Sequence, residues 1–172
     1  MASPTRLSGR TVPSTWAAKP PPALDQFLTY RLHQVSKLTD KHSSDAYAAE
    51  LGLGVGEGRC LAAIGNFAPL SVNDLASRAN LNKAQASRAA QSLVARGHVH
   101  KQPSAHDARS VVLTLTPAGN TLWQQVMDLI ARRNREIFGC LTFTEQQQLG
   151  RMLNRLIQHA GNHGDERRAG PG

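Results

Sequence analysis

The sequence has few of the features that mark secreted or membrane-bound proteins. Among its 172 residues only Cys60 and Cys140 are cysteines. A disulfide framework or a cysteine-based zinc finger is therefore excluded, and both residues are expected to be free thiols. No apolar run approaches the ~20 residues that span a bilayer, and the N-terminus lacks the apolar core of a signal peptide. These absences predict a cytoplasmic protein without a membrane segment.

Patterns for catalysis and for metal binding are also missing. No nucleophile with a base and no pair of carboxylates can be assembled from the motifs present. The glycines between Gly52 and Gly58 do not have the spacing of a dinucleotide-binding loop. The histidines lack a full complement of partner ligands. The sequence therefore predicts no enzyme, no metal and no cofactor.

Positive charge is what the chain has in excess. Twenty Lys and Arg against twelve Asp and Glu give a formal charge of +8, which favours a polyanionic partner. Half of this excess lies between Ser71 and Ser110, where two acidic residues, Asp74 and Asp107, stand against six basic ones: Arg78, Lys83, Arg88, Arg96, Lys101 and Arg109.

Apolar spacing predicts one helical domain with unpatterned ends. Residues 1–22 carry five prolines and predict a disordered basic arm, and residues 161–172 predict a flexible tail. Between them, apolar residues three and four apart indicate a first helix over about 23–42, a short helix over 59–67 and two C-terminal helices within 117–160.

A helix-turn-helix followed by a hairpin is predicted in the middle of the chain. Ser71 and Asn82 are each followed three residues later by a residue that completes a capping box or a variant of one, and Gly97 suits the end of the second helix. A short strand from His98 and a second over 111–115 then form a hairpin with a long polar tip. Thr116 and the proline after it begin the next helix.

This order of elements, together with four motifs, resembles the MarR family of bacterial transcriptional regulators. The motifs are Ala86-Ser87-Arg88, Leu93-Val94-Ala95-Arg96-Gly97, Asp107-Ala108-Arg109 and Leu115-Thr116-Pro117-Ala118-Gly119. The resemblance covers about residues 24–160. It implies a mainly α fold with a small β-wing, in which a winged helix-turn-helix over about 54–116 is flanked by N- and C-terminal dimerisation helices.

The resemblance also implies a homodimer on double-stranded DNA. Each winged helix-turn-helix would enter one major groove of a pseudo-palindromic operator. Lys83, Gln85, Ser87 and Arg88 would contact bases and phosphates from the recognition helix. Arg109 at the wing tip would reach the minor groove or a phosphate, held by Asp107. For Ser71, phosphate contact through its helix N-terminus and simple capping remain alternatives.

Two positions depart from the family pattern. The wing often carries Asp-Arg-Arg, but the middle residue here is Ala108, which leaves Arg109 as the lone wing-tip arginine. At the start of the short helix the family often has a larger residue where this chain has Gly58. Either a pocket is enlarged at that point or another side chain fills the space.

Relatives of this family bind small anionic aromatic compounds in a cleft beside the dimerisation helices, which implies a ligand-responsive repressor. Arg31, with His33 and Lys37 nearby, is the candidate anchor for the effector; an internal ion pair for Arg31 and interface packing for His33 are the alternatives. We therefore predict a repressor of catabolic or efflux genes, released by an aromatic acid or a phenolic compound. The competing hypothesis is a winged-helix module without an effector, which shapes DNA or docks proteins.

Overall fold

The computed structural model describes the backbone of residues 22–103 and 111–168, with side chains to residue 161. A 3₁₀ turn, Leu24–Gln26, precedes the first helix. Within the described ranges the elements are α1 (Leu28–Leu51), α2 (Val55–Phe67), α3 (Val72–Arg78), α4 (Lys83–Ala95), β1 (Val99–Pro103), β2 (Val111–Leu115), α5 (Pro117–Phe138) and α6 (Phe143–Arg168). The predicted mainly helical fold with a two-stranded wing is confirmed. None of these helices is both long enough and apolar enough to cross a membrane.

The chain divides into two compact units between Leu38 and Thr39, inside α1. In the N-terminal unit, the 3₁₀ turn leads into α1, and Arg31 Nε donates a hydrogen bond to the Asp25 carbonyl at 2.8 Å. None of residues 22–38 is buried. The unit therefore exposes its large apolar side chains, which are Leu24, Phe27, Leu28, Leu32, Val35 and Leu38.

The second unit has one core, in which α2 packs on α4 and α5 and β2 packs on α2. Burying one aliphatic side chain of this kind stabilises the fold by about 1.5–3 kcal/mol. The core fixes α3 and α4 against α2, so the helix-turn-helix has one defined shape. Its largest fully buried side chains are Leu53, Cys60, Leu61, Ile64, Leu75, Leu93, Leu113 and Val126.

The helix-turn-helix has the caps that the sequence predicts. Ser71 Oγ accepts a hydrogen bond from the Asp74 amide at 3.1 Å, and Asn82 Oδ1 accepts one from the Gln85 amide at 2.8 Å. Gln85 Oε1 in turn accepts from the Asn82 amide at 3.1 Å, which completes the capping box. Gly97 follows α4 with φ +74°, the left-handed conformation that favours glycine. These local contacts satisfy the exposed amides at the start of both helices.

The wing is an antiparallel ladder that runs from the pair Val99–Leu115 to the pair Pro103–Val111. Leu70, just before α3, adds a bridge to the centre of β2. The Leu70 amide donates to the Leu113 carbonyl at 3.3 Å, and the Leu113 amide donates to the Leu70 carbonyl at 2.9 Å. The base of the wing is thereby attached to the helix-turn-helix through backbone hydrogen bonds.

The first turn of α5 lies directly on the corner between α4 and β1. Thr116 Oγ1 donates to the Gly97 carbonyl at 2.8 Å, and the Thr116 amide donates to the His98 carbonyl at 3.1 Å. Thr116 Oγ1 also accepts from the Gly119 amide at 2.9 Å and so caps α5. A Cβ at Gly119 would lie within 1.8 Å of the His98 carbonyl oxygen. Only glycine fits at this position, because the obstacle is backbone.

Three predicted helix boundaries are wrong. The first helix does not end near residue 42 but continues to Leu51 and stops before Gly52, whose φ is +59°. The short helix begins at Val55 rather than Arg59, because the Glu57 carboxylate reaches back to the Gly54 amide at 2.7 Å. The last helix continues to Arg168, beyond the predicted end at residue 160. No proline interrupts it, and glycine inside a helix costs only about 1 kcal/mol.

Candidate nucleic-acid interface

Four of the predicted DNA-contact residues come together on the first two turns of α4. One face of this helix is buried through Ala86, Ala89, Ala90 and Leu93. The first turns expose Lys83, Gln85 and Arg88 and leave Ser87 half-buried. Because the apolar face is fixed in the core, the helix presents a polar, positively charged surface to a partner.

Two of these four side chains already have local hydrogen bonds. The Gln85 carbonyl oxygen is engaged by the Asn82 amide at 3.1 Å, and Ser87 Oγ accepts from Gln91 Nε2 at 3.4 Å. Lys83 and Arg88 supply the positive charge of this surface. Gln85 therefore reaches a base edge only with its amide nitrogen, or by giving up the capping contact.

Of the three remaining predicted DNA contacts, the structure describes only Ser71. Ser71 Oγ accepts from the Asp74 amide and donates to Asp74 Oδ2 at 2.6 Å, which supports the capping interpretation. Asp107 and Arg109 lie outside the described residues, so their roles at the wing stay predictions.

Glu57 connects the start of α2 to the C-terminal half of α4. Its Oε1 accepts from Ser92 Oγ at 2.6 Å and lies 3.5 Å from Arg96, which also donates to the Gly52 carbonyl at 3.2 Å. Burial raises the pKa of this carboxyl. The hydrogen bonds from Ser92 and Gly54 and the charge of Arg96 outweigh burial and hold the pKa below its usual value. The sequence does not predict this cluster, because Glu57 and Ser92 are 35 residues apart.

Tyr47 fills the space that Gly58 leaves open. A Cβ built on Gly58 would lie 2.4–2.9 Å from three carbons of the Tyr47 ring, and Tyr47 is buried. The pKa of Tyr47 is raised by burial, against a smaller lowering by Arg59. The sequence left open either an enlarged pocket at Gly58 or another side chain that fills the space. The structure shows the second, with Tyr47 as that side chain.

A cavity of about 410 Å³ lies in the second unit, beside the helix-turn-helix. Two arginines line it. Arg59 pairs with Asp40 at 2.6 Å, and the Arg78 guanidinium lies 4.6 Å from the centre of the Phe67 ring. A cation held by a single carboxylate and a cation over an aromatic face are both suited to a planar anion. The rest of the lining is mixed: Tyr47, Ala62, Ala63, Asn66, Ala79, Asn80, Met127 and Ile130.

The predicted effector residues Arg31, His33 and Lys37 belong to the N-terminal unit, where they are exposed. Arg31 donates to the backbone carbonyl of Asp25. Arg59 and Arg78 were not chosen from the sequence. Each occupies an ordinary helical position, with no motif around it.

The fold is that of a winged helix-turn-helix protein, and α4 exposes a basic face. Residues 51–110 match the sequence profile of the MarR family. No curated protein is significantly similar to the chain in sequence.

Several solved structures share the fold. A MarR-family regulator from Silicibacter pomeroyi is 23% identical with a TM-score of 0.71, covering 80% of this chain and 92% of its own. A MarR/EmrR-family regulator from Acinetobacter sp. ADP1 is 22% identical with a TM-score of 0.74, covering 81% and 99%. BpsR of Bordetella bronchiseptica, whose DNA binding is regulated by 6-hydroxynicotinic acid, is 18% identical with a TM-score of 0.72, covering 80% and 98%.

The resemblance inferred from the sequence is therefore confirmed. Residues 51–110 match the MarR family model, and the chain has the fold of MarR-family transcriptional regulators over about four-fifths of its length.

Proposed function

We propose that the chain is a homodimeric repressor of catabolic or efflux genes, which reads a pseudo-palindromic operator and is released by a small anionic aromatic effector. The observation that carries the DNA-reading part is the surface of α4, where Lys83, Gln85 and Arg88 are exposed opposite a buried apolar face. Arginine and glutamine on such a helix match guanine and adenine edges in the major groove.

Exposed apolar side chains support the homodimer. The N-terminal unit exposes six large apolar residues, and α6 exposes Phe143, Met152, Leu156 and Ile157 to between 52% and 75%. A second copy of the chain would cover both surfaces. The apolar stripe of α5 contributes less to the dimer, because Val126 and Leu129 are buried within their own unit. We expect Leu156→Glu to sediment as a monomer and the wild type as a dimer.

The DNA-reading proposal is tested by selecting bound duplexes from a random pool at physiological salt. We expect a palindrome to be enriched. On that operator, Arg88→Ala should weaken binding by about 10- to 100-fold, the loss of one bidentate base contact. Gln85→Ala should change the preference at particular bases. Arg109→Ala should weaken binding to every sequence and reduce the slope of affinity against salt. Arg151→Ala, an exposed arginine on α6, is the matched control and should bind as the wild type does.

The competing function is an architectural or protein-docking module. Enrichment of no sequence, or equal losses for operator and scrambled DNA in all three α4 and wing variants, would support it and remove the base-reading assignment.

The effector part of the proposal rests on the 410 Å³ cavity. Arg59 and Arg78 supply positive charge beside an aromatic ring, and the volume lies within the range of small-molecule sites. BpsR, which has a similar fold, responds to 6-hydroxynicotinic acid, a heteroaromatic acid of the class we propose. Arg31, with His33 and Lys37, remains the alternative anchor.

Two variants discriminate between the two anchors. The operator complex is titrated with salicylate, benzoate and 6-hydroxynicotinate while DNA release is followed by fluorescence anisotropy. If the cavity is the site, Arg78→Met resists release and Arg31→Met releases normally. If Arg31, His33 and Lys37 form the site, Arg31→Met resists release and Arg78→Met releases normally. Release of neither the wild type nor the variants by any of the three acids would contradict the proposed effector class.

A further inference from the structure

The reciprocal cap at the start of α4 turns both of its side-chain oxygens inward. Asn82 Oδ1 accepts from the Gln85 amide at 2.8 Å, and Gln85 Oε1 accepts from the Asn82 amide at 3.1 Å. The backbone carbonyl of Asn82 is engaged as well, because it accepts from the Ala86 amide at 3.0 Å. Both capping side chains are exposed. Their NH₂ ends, which only donate, are therefore what the cap presents to a partner.

The other polar side chains of the first two turns are donors too. Lys83 and Arg88 are exposed, and neither side chain has an acceptor atom. Ser87 Oγ accepts from Gln91 Nε2 at 3.4 Å, which leaves its hydroxyl hydrogen to donate. No acidic residue occurs in the sequence from Asn82 to Arg88. We call the exposed surface of these seven residues the donor face.

A donor face distinguishes the four bases in the major groove. Guanine presents two neighbouring acceptors, N7 and O6, whereas thymine presents one, O4. Adenine has its N6 amine beside its single acceptor, and cytosine presents only the N4 amine. A base amine that meets a donor leaves both groups without an acceptor, which costs free energy. The donor face therefore favours guanine most and cytosine least.

Gln85 is the residue whose base preference the cap changes. Glutamine on a helix in the major groove reads adenine with both ends of its amide, because the oxygen accepts from N6 and the nitrogen donates to N7. Here the oxygen end is bonded to the Asn82 amide. Reading adenine in this way would take the acceptor from that amide, whereas guanine is read with the capping box intact. The cap also holds the side chain in place before binding, which reduces the entropy lost on binding.

We propose that Gln85 selects guanine rather than adenine in each half-site of the operator, because the capping box leaves it only donors for the base edge. Arg88, three residues further along the same helix face, also has donors alone and selects a second guanine. The inference rests on the proposed DNA-reading function and adds the identity of the bases that are read.

The test repeats the selection from a random duplex pool with the wild type and Gln85→Glu. In the wild type we expect two guanine positions in each half-site, each preferred over adenine by about tenfold. Glutamate at position 85 keeps the cap, since one carboxylate oxygen still accepts from the Asn82 amide. Its second oxygen accepts from a base amine, so the preference at one of the two positions should change from guanine to cytosine.

The matched control is Gln124→Glu, which makes the same change of charge at an exposed position on α5 and should leave both guanines in place. The readout is the relative preference among the four bases, so a general loss of affinity through the added negative charge does not affect it. An unchanged thermal unfolding temperature shows that each variant is folded.

Two results would overturn the inference and leave the DNA-reading proposal intact. One is a palindrome with adenine at the position that Gln85→Glu alters. The other is a Gln85→Glu preference identical to that of Gln124→Glu. Enrichment of no sequence by the wild type would remove both the inference and the proposed function.

A second measurement needs only the wild-type protein and therefore does not depend on the folding of a variant. Each guanine of the selected operator is replaced in turn by 7-deazaguanine, which lacks the N7 acceptor, and each adenine by deoxynebularine, which lacks the N6 amine. We expect weaker binding at two guanines of each half-site and unchanged binding at the adenines. Weaker binding when an adenine loses its N6 amine would show that the interface supplies an acceptor, which contradicts the donor face.

Discussion

Glu57 accepts a hydrogen bond from Ser92 at 2.6 Å and thereby joins the first turn of α2 to α4. The carboxylate also binds the Gly54 amide at 2.7 Å and pairs with Arg96. One side chain thus serves as the N-terminal cap of α2 and as the contact of α2 with the far end of α4.

Replacing Glu57 by Gln should lower the free energy of unfolding by about 1 kcal/mol at pH 7, since hydrogen bonds to a charged group are lost. The folded-state pKa of Glu57 lies below its usual value. Its charge therefore stabilises the fold above the unfolded pKa, about 4.3, and this contribution disappears as the pH falls through the folded-state value. Urea unfolding at pH 7 and at acid pH should show the gap between wild type and variant closing. Asp128→Asn, an exposed carboxyl on α5, should show no such gap.

Substitution of Gly58 by Ala should destabilise the protein by about 1–3 kcal/mol, the usual cost of overpacking a filled site. The new methyl group would overlap the Tyr47 ring. If the ring is the cause, Tyr47→Val should cost less in the Gly58→Ala background than in the wild type, as a double-mutant cycle of urea unfolding would reveal. Gly150→Ala in α6, with nothing within 4 Å of the added carbon, should be neutral or slightly stabilising; additive effects at 47 and 58 would contradict the steric account.

The two cysteines should differ sharply in reactivity. Burial, reinforced by the charge of Glu57, raises the pKa of Cys60 to about 12, whereas Cys140 is exposed. The thiolate is the reactive form, so Cys60 stays protonated and unreactive at pH 8. A colorimetric thiol assay should count one reactive cysteine per native chain and two in denaturant. Cys140→Ser should leave none in the native protein, and rapid labelling of Cys60 would show that the core opens.

Removal of the Asn82 cap should lower stability by about 1 kcal/mol and weaken operator binding as well. Asn82→Ala frees the Gln85 amide and breaks the capping box at the start of α4, the part of the helix that we propose contacts DNA. Asn82→Ser should retain most of both properties. The comparison requires thermal unfolding and operator affinity for the two variants; an affinity loss equally large in Asn82→Ser would assign the effect to a direct contact of the amide side chain.

The elements with local signals were predicted well. The capping pairs at Ser71 and Asn82, the left-handed Gly97 and the Thr116–Pro117 start of α5 all depend on residues within a few positions of one another. Their chemistry is the same in a peptide and in the folded chain, so the helix-turn-helix and the base of the wing followed from the sequence.

Features that depend on distant contacts were not predicted. The polar segment before Leu51 gave no helical stripe, yet Arg132 pairs with Glu50 and Arg59 with Asp40 along it. Arg59 and Arg78 line one cavity only because α3 packs against α2 and α2 packs against α5. The Tyr47 ring fills the space beside Gly58, but nothing near either residue in the sequence indicated that the two would lie together.

The corner at Thr116, His98 and Gly119 has a mechanical consequence for regulation. Thr116, at the start of α5, is hydrogen-bonded to Gly97 and His98 just after α4, and Gly119 lies too close to the His98 carbonyl for any side chain to intervene. The joint has no slack. A displacement of α5 at Met127 or Ile130, where it lines the cavity of Arg59 and Arg78, would therefore be transmitted to Gly97 and His98 at the base of the wing. No flexible linker lies between them to absorb it.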